Sequence, residues 1–539
     1  MTLEIKAWGS EGRGIGHTAE GKVVFVPGAI PGETVEAEIL KETSKIAEAR
    51  LIEVIKASDL RRDIPEGLDL PGLNLAHVSY EGQTAYKALR VKECLERIGG
   101  FAPEETEAFL KPIVPSSKTS AYRNHVQYRL ASGRISMSGT GSDTALPIDR
   151  DGICYDVLWK AAKLFEECFE RYPNNFTDGL VLRASERTKE LLIEITSPGK
   201  GSNEVTIRDV KRFLETTAFS EKIAAEIQDY KLRGILLRIS GDKVQKRTRT
   251  GKRICLEGED FYEEILLGKR FRIRSGAFFQ VNIEQAENLY LLVKEGIKGF
   301  DPIYDIYCGA GSIGLSVKEE EQTLYGIESV PEAVASARIN AGLNGCNNVT
   351  FLMKQAEKTD FAKEGFPLPE AVIVDPPRKG MDIGFIRKLT DLAPKRIVYV
   401  SCDPATMARD LKLLKDSYKV LSVTPVDMFP QTSHVETVVL LSQLRQKPDD
   451  YIDVDVDVAE LEGTSAETKA TYEKIKKYVA EHNDGMKVSN LYIAQVKRKC
   501  GIELAENFNL PKSEESRQPQ CPKEKEEAII WALKAFKMI

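Results

Sequence analysis

No two of the nine cysteines form a C-x-x-C pair, and an odd count scattered over 539 residues does not describe a disulfide framework. Reduced thiols and a cytoplasmic setting are expected instead. Apolar runs are short. Residues 1 to 20 hold no apolar core of a secretion signal, and no window approaches the roughly 20 apolar residues that a bilayer crossing needs, so neither secretion nor membrane insertion is expected. An excess of positive charge is missing too: 76 Lys and Arg stand against 82 Asp and Glu, a net charge of −6. Any contact with nucleic acid must therefore come from local basic clusters rather than a globally positive field.

What is present is modular, because a chain of this length exceeds one compact core and divides into about three or four units. Residues 1–60, with "GRGIGHTAEGKVVFVPGAIPGETVEAEIL" and "ARLIEVI", alternate apolar positions with Gly and Pro turns. They predict a small β-barrel, either an oligonucleotide binder or a cap on the fold. Residues 61–110 form a linker and a helix over "QTAYKALRVKECLERI", stopped by Gly99-Gly100. Residues 111–275 read as a β-rich region interrupted by a helix near 157–171. Its basic segments "KTSAYRNHVQYRLASGR" and "KVQKRTRTGKR" suit either an RNA backbone or a solvated face.

From 276 to 445 strands alternate with helices, the pattern of a doubly wound parallel sheet. "PIYDIYC", "TLYGIE", "VTFLM", "AVIVD" and "RIVYVS" are its strands, and "KVLSVTPVDMF" with "VETVVLLSQL" predicts an antiparallel pair at its edge. Residues 446–539 comprise an acidic linker and a helical extension, with helices around 465–481 and 525–537. Between them "VSNLYIAQVKRKCGI" resembles a helix-turn-helix or winged-helix element, a spacing that any small helical bundle also produces.

Three loops of the α/β unit carry chemistry. "YDIYCGAGSIG" lies between a strand and a helix, where its glycines let a nucleotide-like cofactor approach the backbone. Glu328, ending the next strand, suits ribose hydroxyls or a helix cap before Pro331. Asp375-Pro376-Pro377-Arg378 makes a rigid turn where the sheet opens. In "YVSCDPATMARDL", Cys402 sits at the end of a buried strand, just ahead of a helix opened by Asp403 and Pro404. The helix N-terminus is expected to depress its thiol pKa and make it reactive. Glu436, in "DMFPQTSHVETVVLL", is the candidate base beside it and His434 the runner-up.

Taken in order, "SGAFFQVN" at 275–282, the glycine loop, "VDPPRKG", "VSCDP" and "DMFPQTSHVE" resemble the RNA 5-methyluridine methyltransferases, specifically the TRAM-bearing enzymes of 23S ribosomal RNA. The likeness runs from about residue 8 to 442. It implies a TRAM- or OB-like N-terminal barrel, a central RNA-binding domain, a Rossmann-like methyltransferase sheet and a cytoplasmic monomer that uses S-adenosylmethionine. Carbon 5 of uracil is a weak nucleophile until a group adds at carbon 6, and the carbon 5 proton must later be removed. The resemblance makes Cys402 the adding nucleophile and Glu436 the base, places Gln280, Tyr307, Glu328 and Asp375 against the cofactor, and lines the pocket of an extruded uridine with Phe279.

One departure stands out. Many relatives hold an iron-sulfur cluster on three cysteines ahead of a stretch like "LAHVSYE" and a fourth further on; here Ile64, Leu70 and Leu73 occupy the first three positions and Cys154 alone remains. One thiol cannot hold the cluster, so none is expected, with the three apolar residues packing in its place. Transfer RNA as substrate, methylation of an exocyclic base amine and a non-catalytic RNA-binding factor stay open at this point. The second needs no nucleophile at 402, and the third no affinity for S-adenosylmethionine.

Overall fold

The computed structural model describes residues 1–139, 144–199, 202–240, 251–444, 472–483, 486–500 and 521–536. The chain divides into two units, Met1–Gln446 and Lys447–Ile539.

The first unit opens with strands β1 (Thr2–Glu4), β2 (Ala7–Trp8), β3 (Gly14–His17), β4 (Val23–Val26), β5 (Thr34–Glu42) and β6 (Ile46–Lys56), in the order β1-β5-β6-β4-β3-β2. Val35, Ala37, Ala47 and Ala49 alternate inward with the outward charges of Glu36, Glu48 and Arg50, and Val24 and Val26 with half-buried Val23 and Phe25, the period of two that defines a half-buried strand. The helix read over 83–98 starts earlier, at Tyr80, where the Ser79 hydroxyl accepts the Gly82 N–H; it runs to Cys94, and Gly100 takes the left-handed φ of 70° that ends the following turn.

A second sheet follows: β7 (His125–Ala131), β8 (Arg134–Ser138), β9 (Ala145–Pro147), β10 (Gly179–Ser185), β11 (Glu190–Ser197), β12 (Lys231–Ile239) and β13 (Lys252–Gly258), ordered β13-β12-β11-β10-β7-β8-β9. The single helix expected here is joined by two more, Asn203–Thr217 and Phe219–Glu226. Val210, Phe213, Leu214 and Phe219 pack with Phe165 of the first helix, Asp156–Arg171, over one face of the sheet. Both β10 and β11 are buried along their whole length, so each face is covered. The second basic segment, from residue 243, falls mostly outside the described residues.

After the hairpin β14 (Phe261–Leu266) and β15 (Lys269–Arg274) comes the third sheet: β16 (Ile303–Ile306), β17 (Leu324–Glu328), β18 (Val349–Met353), β19 (Ala371–Val374), β20 (Arg396–Ser401), β21 (Tyr418–Val426) and β22 (Glu436–Gln443). Its order is β18-β17-β16-β19-β20-β22-β21. The first five strands are parallel, and the antiparallel pair lies at one edge with β22 inserted between β20 and β21.

In the second unit, helices Tyr472–His482, Asn490–Lys499 and Lys523–Ala535 bury Ile475, Val479, Ile493, Val496, Ile529 and Leu533 against one another. The acidic linker lies outside the described residues. Among the described residues no helix is long and apolar enough to cross a membrane.

Candidate active site

In the third sheet the chain turns back on itself between β16 and β19, and a crevice opens at the carboxyl ends of strands where such a reversal occurs. The loop leaving β16 runs through Gly309 at φ 54° and Gly311 at φ 77°, and nothing within 4 Å fills the space where a Gly309 side chain would project, so a ligand can approach the bare backbone. Asp305, fully buried at the end of β16, pins this loop by accepting the Gly314 N–H at 3.0 Å. A β-carbon on Gly314 would stand 2.6 Å from that carboxylate oxygen, which leaves room only for glycine. The other Asp305 oxygen has no hydrogen-bond partner. Sequence reasoning passed over Asp305; its signal was an acid ending the strand just ahead of the glycines.

Glu328 fits the cap reading and also braces the glycine loop. Its carboxylate accepts the N–H groups of Ser329 at 2.6 Å and Val330 at 2.8 Å, capping the turn before Pro331, and that of Gly309 at 3.2 Å, bracing the glycine loop. Gln280, Tyr307, Glu328, Asp375, Cys402 and Glu436 all line one cleft of about 1710 Å³. That is well above the roughly 300–1,000 Å³ of an ordinary small-molecule pocket, room for a cofactor together with a nucleoside. Gln280 is held in place through its main-chain carbonyl, which accepts the Asn124 side chain at 3.1 Å. The Tyr307 ring meets Phe385 edge-on at 5.9 Å.

Cys402 and Glu436 come together through strand register. Ser401 pairs with Thr437 as the last pair of the antiparallel β20–β22 ladder, so Cys402 and Glu436, the next residue on each side, come to the same end of it, close enough for the carboxylate to act on the thiol. The thiol is not depressed as expected. Burial, reinforced by the Glu436 and Asp375 carboxylates, pushes it up to about 12, against the opposing pull of Arg378. The helix N-terminus gives little relief, because the Asp403 carboxylate already accepts the first free donors, the N–H groups of Ala405 and Thr406, and adds a negative charge there. Glu436 is itself pushed up to about 8, by burial first and Asp375 second, with Arg378 opposing. Burial carries Asp375 and Asp305 each to about 7.

Such a cluster of desolvated carboxyls is uncomfortable as it stands and suits a cationic ligand. The sulfonium of S-adenosylmethionine is one. Deprotonation of these groups as pH rises through about 7 to 8 should therefore tighten its binding, by up to about tenfold per coupled carboxyl between pH 6 and pH 8. The neutral thioether S-adenosylhomocysteine should show much less dependence. Calorimetric titration of both ligands across that range checks this, and parallel curves would refute it.

His434 also lines the cleft, 6.3 Å from the Phe429 ring, with its pKa lowered by burial and by the charges of Arg378, Lys87 and Arg123. The Phe279 expectation is corrected: that ring is 3 % exposed and packs in the core against Phe271 at 5.8 Å, whereas Phe278, 73 % exposed, lines the cleft. Two adjacent phenylalanines in a loop look alike in sequence, and only the backbone path decides which turns outward. At the positions of the relatives' cluster cysteines, Leu70 and Leu73 pack with the buried Cys154 in the core of the second sheet. Ile64 does not; it is 42 % exposed, which corrects the expectation that all three would pack. This apolar setting, with one thiol, does not fit an iron-sulfur cluster.

A family model described as tRNA (Uracil-5-)-methyltransferase matches residues 237–444, and one described as TRAM domain matches residues 1–52. An uncharacterized RNA methyltransferase of Listeria monocytogenes is 34% identical over 466 residues, covering 83% of this chain and 97% of its own length. One from Clostridium acetobutylicum is 32% identical over 463 residues, covering 82% and 96%. Among solved structures, a Pyrococcus abyssi tRNA (uracil-54, C5)-methyltransferase in complex with S-adenosyl-L-homocysteine superposes with a TM-score of 0.64 at 25% identity, over 82% of this chain and 100% of the other.

Proposed function

Because the chain belongs to the TRAM-bearing RNA (uracil-5-)-methyltransferases, which use S-adenosylmethionine, we propose that it methylates carbon 5 of a uridine in 23S ribosomal RNA through a bond between the Cys402 sulfur and carbon 6 of the ring. The observation that carries this reading is the meeting of a thiol and a carboxyl across the β20–β22 ladder, inside the cleft that the glycine loop also lines.

In this reading S-adenosylmethionine supplies an electrophilic methyl carbon, held by Gln280, Tyr307, Glu328 and Asp375. The Cys402 sulfur adds to carbon 6 as its proton passes, in the same step, to the Asp375 carboxylate, which leaves Glu436 free to accept the later proton from carbon 5. Addition places enolate character on carbon 5, which makes that carbon nucleophilic. Once carbon 5 bears its new methyl group, Glu436 removes the remaining proton there, the ring double bond returns and the sulfur departs. Arg378, beside both groups, favours their charged forms. The barrel and the second sheet grip the RNA around the extruded base, Phe278 offers a stacking surface at the cleft, and the enzyme acts as a cytoplasmic monomer.

A second reading, methylation of transfer RNA, is favoured by the description of the matching family model and by the substrate named for the Pyrococcus abyssi enzyme. Mapping 5-methyluridine in both RNA classes from cells with and without the gene separates the two. Loss of the modification from 23S RNA is expected. Loss from transfer RNA alone would replace the ribosomal assignment.

A further inference from the structure

The loop joining β21 to β22 carries Phe429 and His434 into the cleft wall and delivers Glu436 to the start of β22. Its backbone turns at Gln431, whose φ of 71° lies in the left-handed region that a residue with a β-carbon seldom adopts without compensation. The compensation is extensive. The Gln431 N–H donates to the Gln83 side-chain oxygen at 2.8 Å, and the Gln83 amide donates back to Gln431 Oε1 at 2.9 Å. Arg62 also donates to that oxygen at 2.5 Å, Gln431 Nε2 donates to the Thr119 carbonyl at 2.8 Å, and the Gln431 carbonyl accepts the Leu75 N–H at 2.9 Å.

Gln83 is fully buried on the helix Tyr80–Cys94. One turn further along, on the same helix face, the equally buried Lys87 forms an ion pair with buried Asp427 and donates to the Phe429 carbonyl at 2.9 Å. One helix thus grips the loop at two places, at its start, 427–429, through Lys87 and at its midpoint, 431, through Gln83. Burying an ion pair costs desolvation that an apolar pair would avoid, and a left-handed glutamine stores strain. A loop that only connected two strands would need neither. Gln83 and Lys87 do not themselves line the cleft.

We propose that Gln83 is a positioning residue for proton removal, locking the 427–435 loop in the conformation that sets Glu436 beside the base bonded to Cys402. This rests on the reading of Glu436 as the base. The test uses the full chain with Gln83→Met, Gln431→Met and both together, beside Glu436→Gln as control, measuring Tm, S-adenosylmethionine affinity, kcat, KM for RNA and covalent protein–RNA species on denaturing gels. A misplaced base should lower kcat by about ten- to a hundredfold, with affinity and KM within about twofold and a covalent species persisting during turnover; the double variant should be no worse than the poorer single, as expected of one unit. Losses that follow the folded fraction, or appear in KM alone, would overturn the proposal. So would gels showing only free protein for the glutamine variants while Glu436→Gln retains its adduct. If Glu436→Gln itself holds none, the assignment of the base fails, and the proposal with it.

Discussion

Replacing Cys402 by alanine should abolish 5-methyluridine formation, with a loss on the order of 10⁴-fold or more, because no other group can raise the nucleophilicity of carbon 5. The fold should survive the change. Cys402 is only partly buried, at the end of β20, and truncating it leaves the ladder to β22 and the Asp403 cap untouched. Serine should do hardly better, since an alkoxide is still harder to form in a setting that already raises the thiol to about 12. Measured by methyl transfer to RNA with S-adenosylmethionine binding checked in parallel, retained turnover in the alanine variant would sink the covalent route and favour chemistry on an exocyclic amine. Retained binding without turnover is the expected outcome.

Glu436→Gln should do the opposite of removing the adduct: it should trap it. Bond formation at carbon 6 and methylation at carbon 5 both precede loss of the carbon 5 proton, and an amide cannot accept that proton. The enzyme–RNA species should then accumulate to near stoichiometry and survive a denaturing gel, while release of product falls by about a hundredfold or more. Destabilisation is not expected, because burial already disfavours the charged carboxylate, as its rise to about 8 shows, and glutamine matches it in shape. Free protein alone on the gel would remove Glu436 from this role and turn attention to His434, which lines the same cleft.

Much of the third sheet was legible because its strands are short apolar runs ending in residues that no core needs: the Gly309 loop, Asp375-Pro376-Pro377 and Cys402-Asp403-Pro404. Tyr307, Glu328, Asp375 and Cys402 line one cleft, since parallel strands deliver their carboxyl ends to the same edge, and Glu436 reaches it from the start of antiparallel β22. The helices Asn203–Thr217 and Phe219–Glu226 were missed because their apolar positions lie within a stretch dominated by strand-like runs.

By itself, then, the sequence determined the order of units, the strands of the catalytic sheet and the chemical types gathered at its open end, all of which follow from local periodicity and turn chemistry. Tertiary structure alone decided the protonation of those groups, which of two phenylalanines faces the cleft, and how the loop before Glu436 is held. These depend on burial and on contacts such as Gln83 with Gln431, 348 residues apart in the chain, for which no local pattern carries a signal.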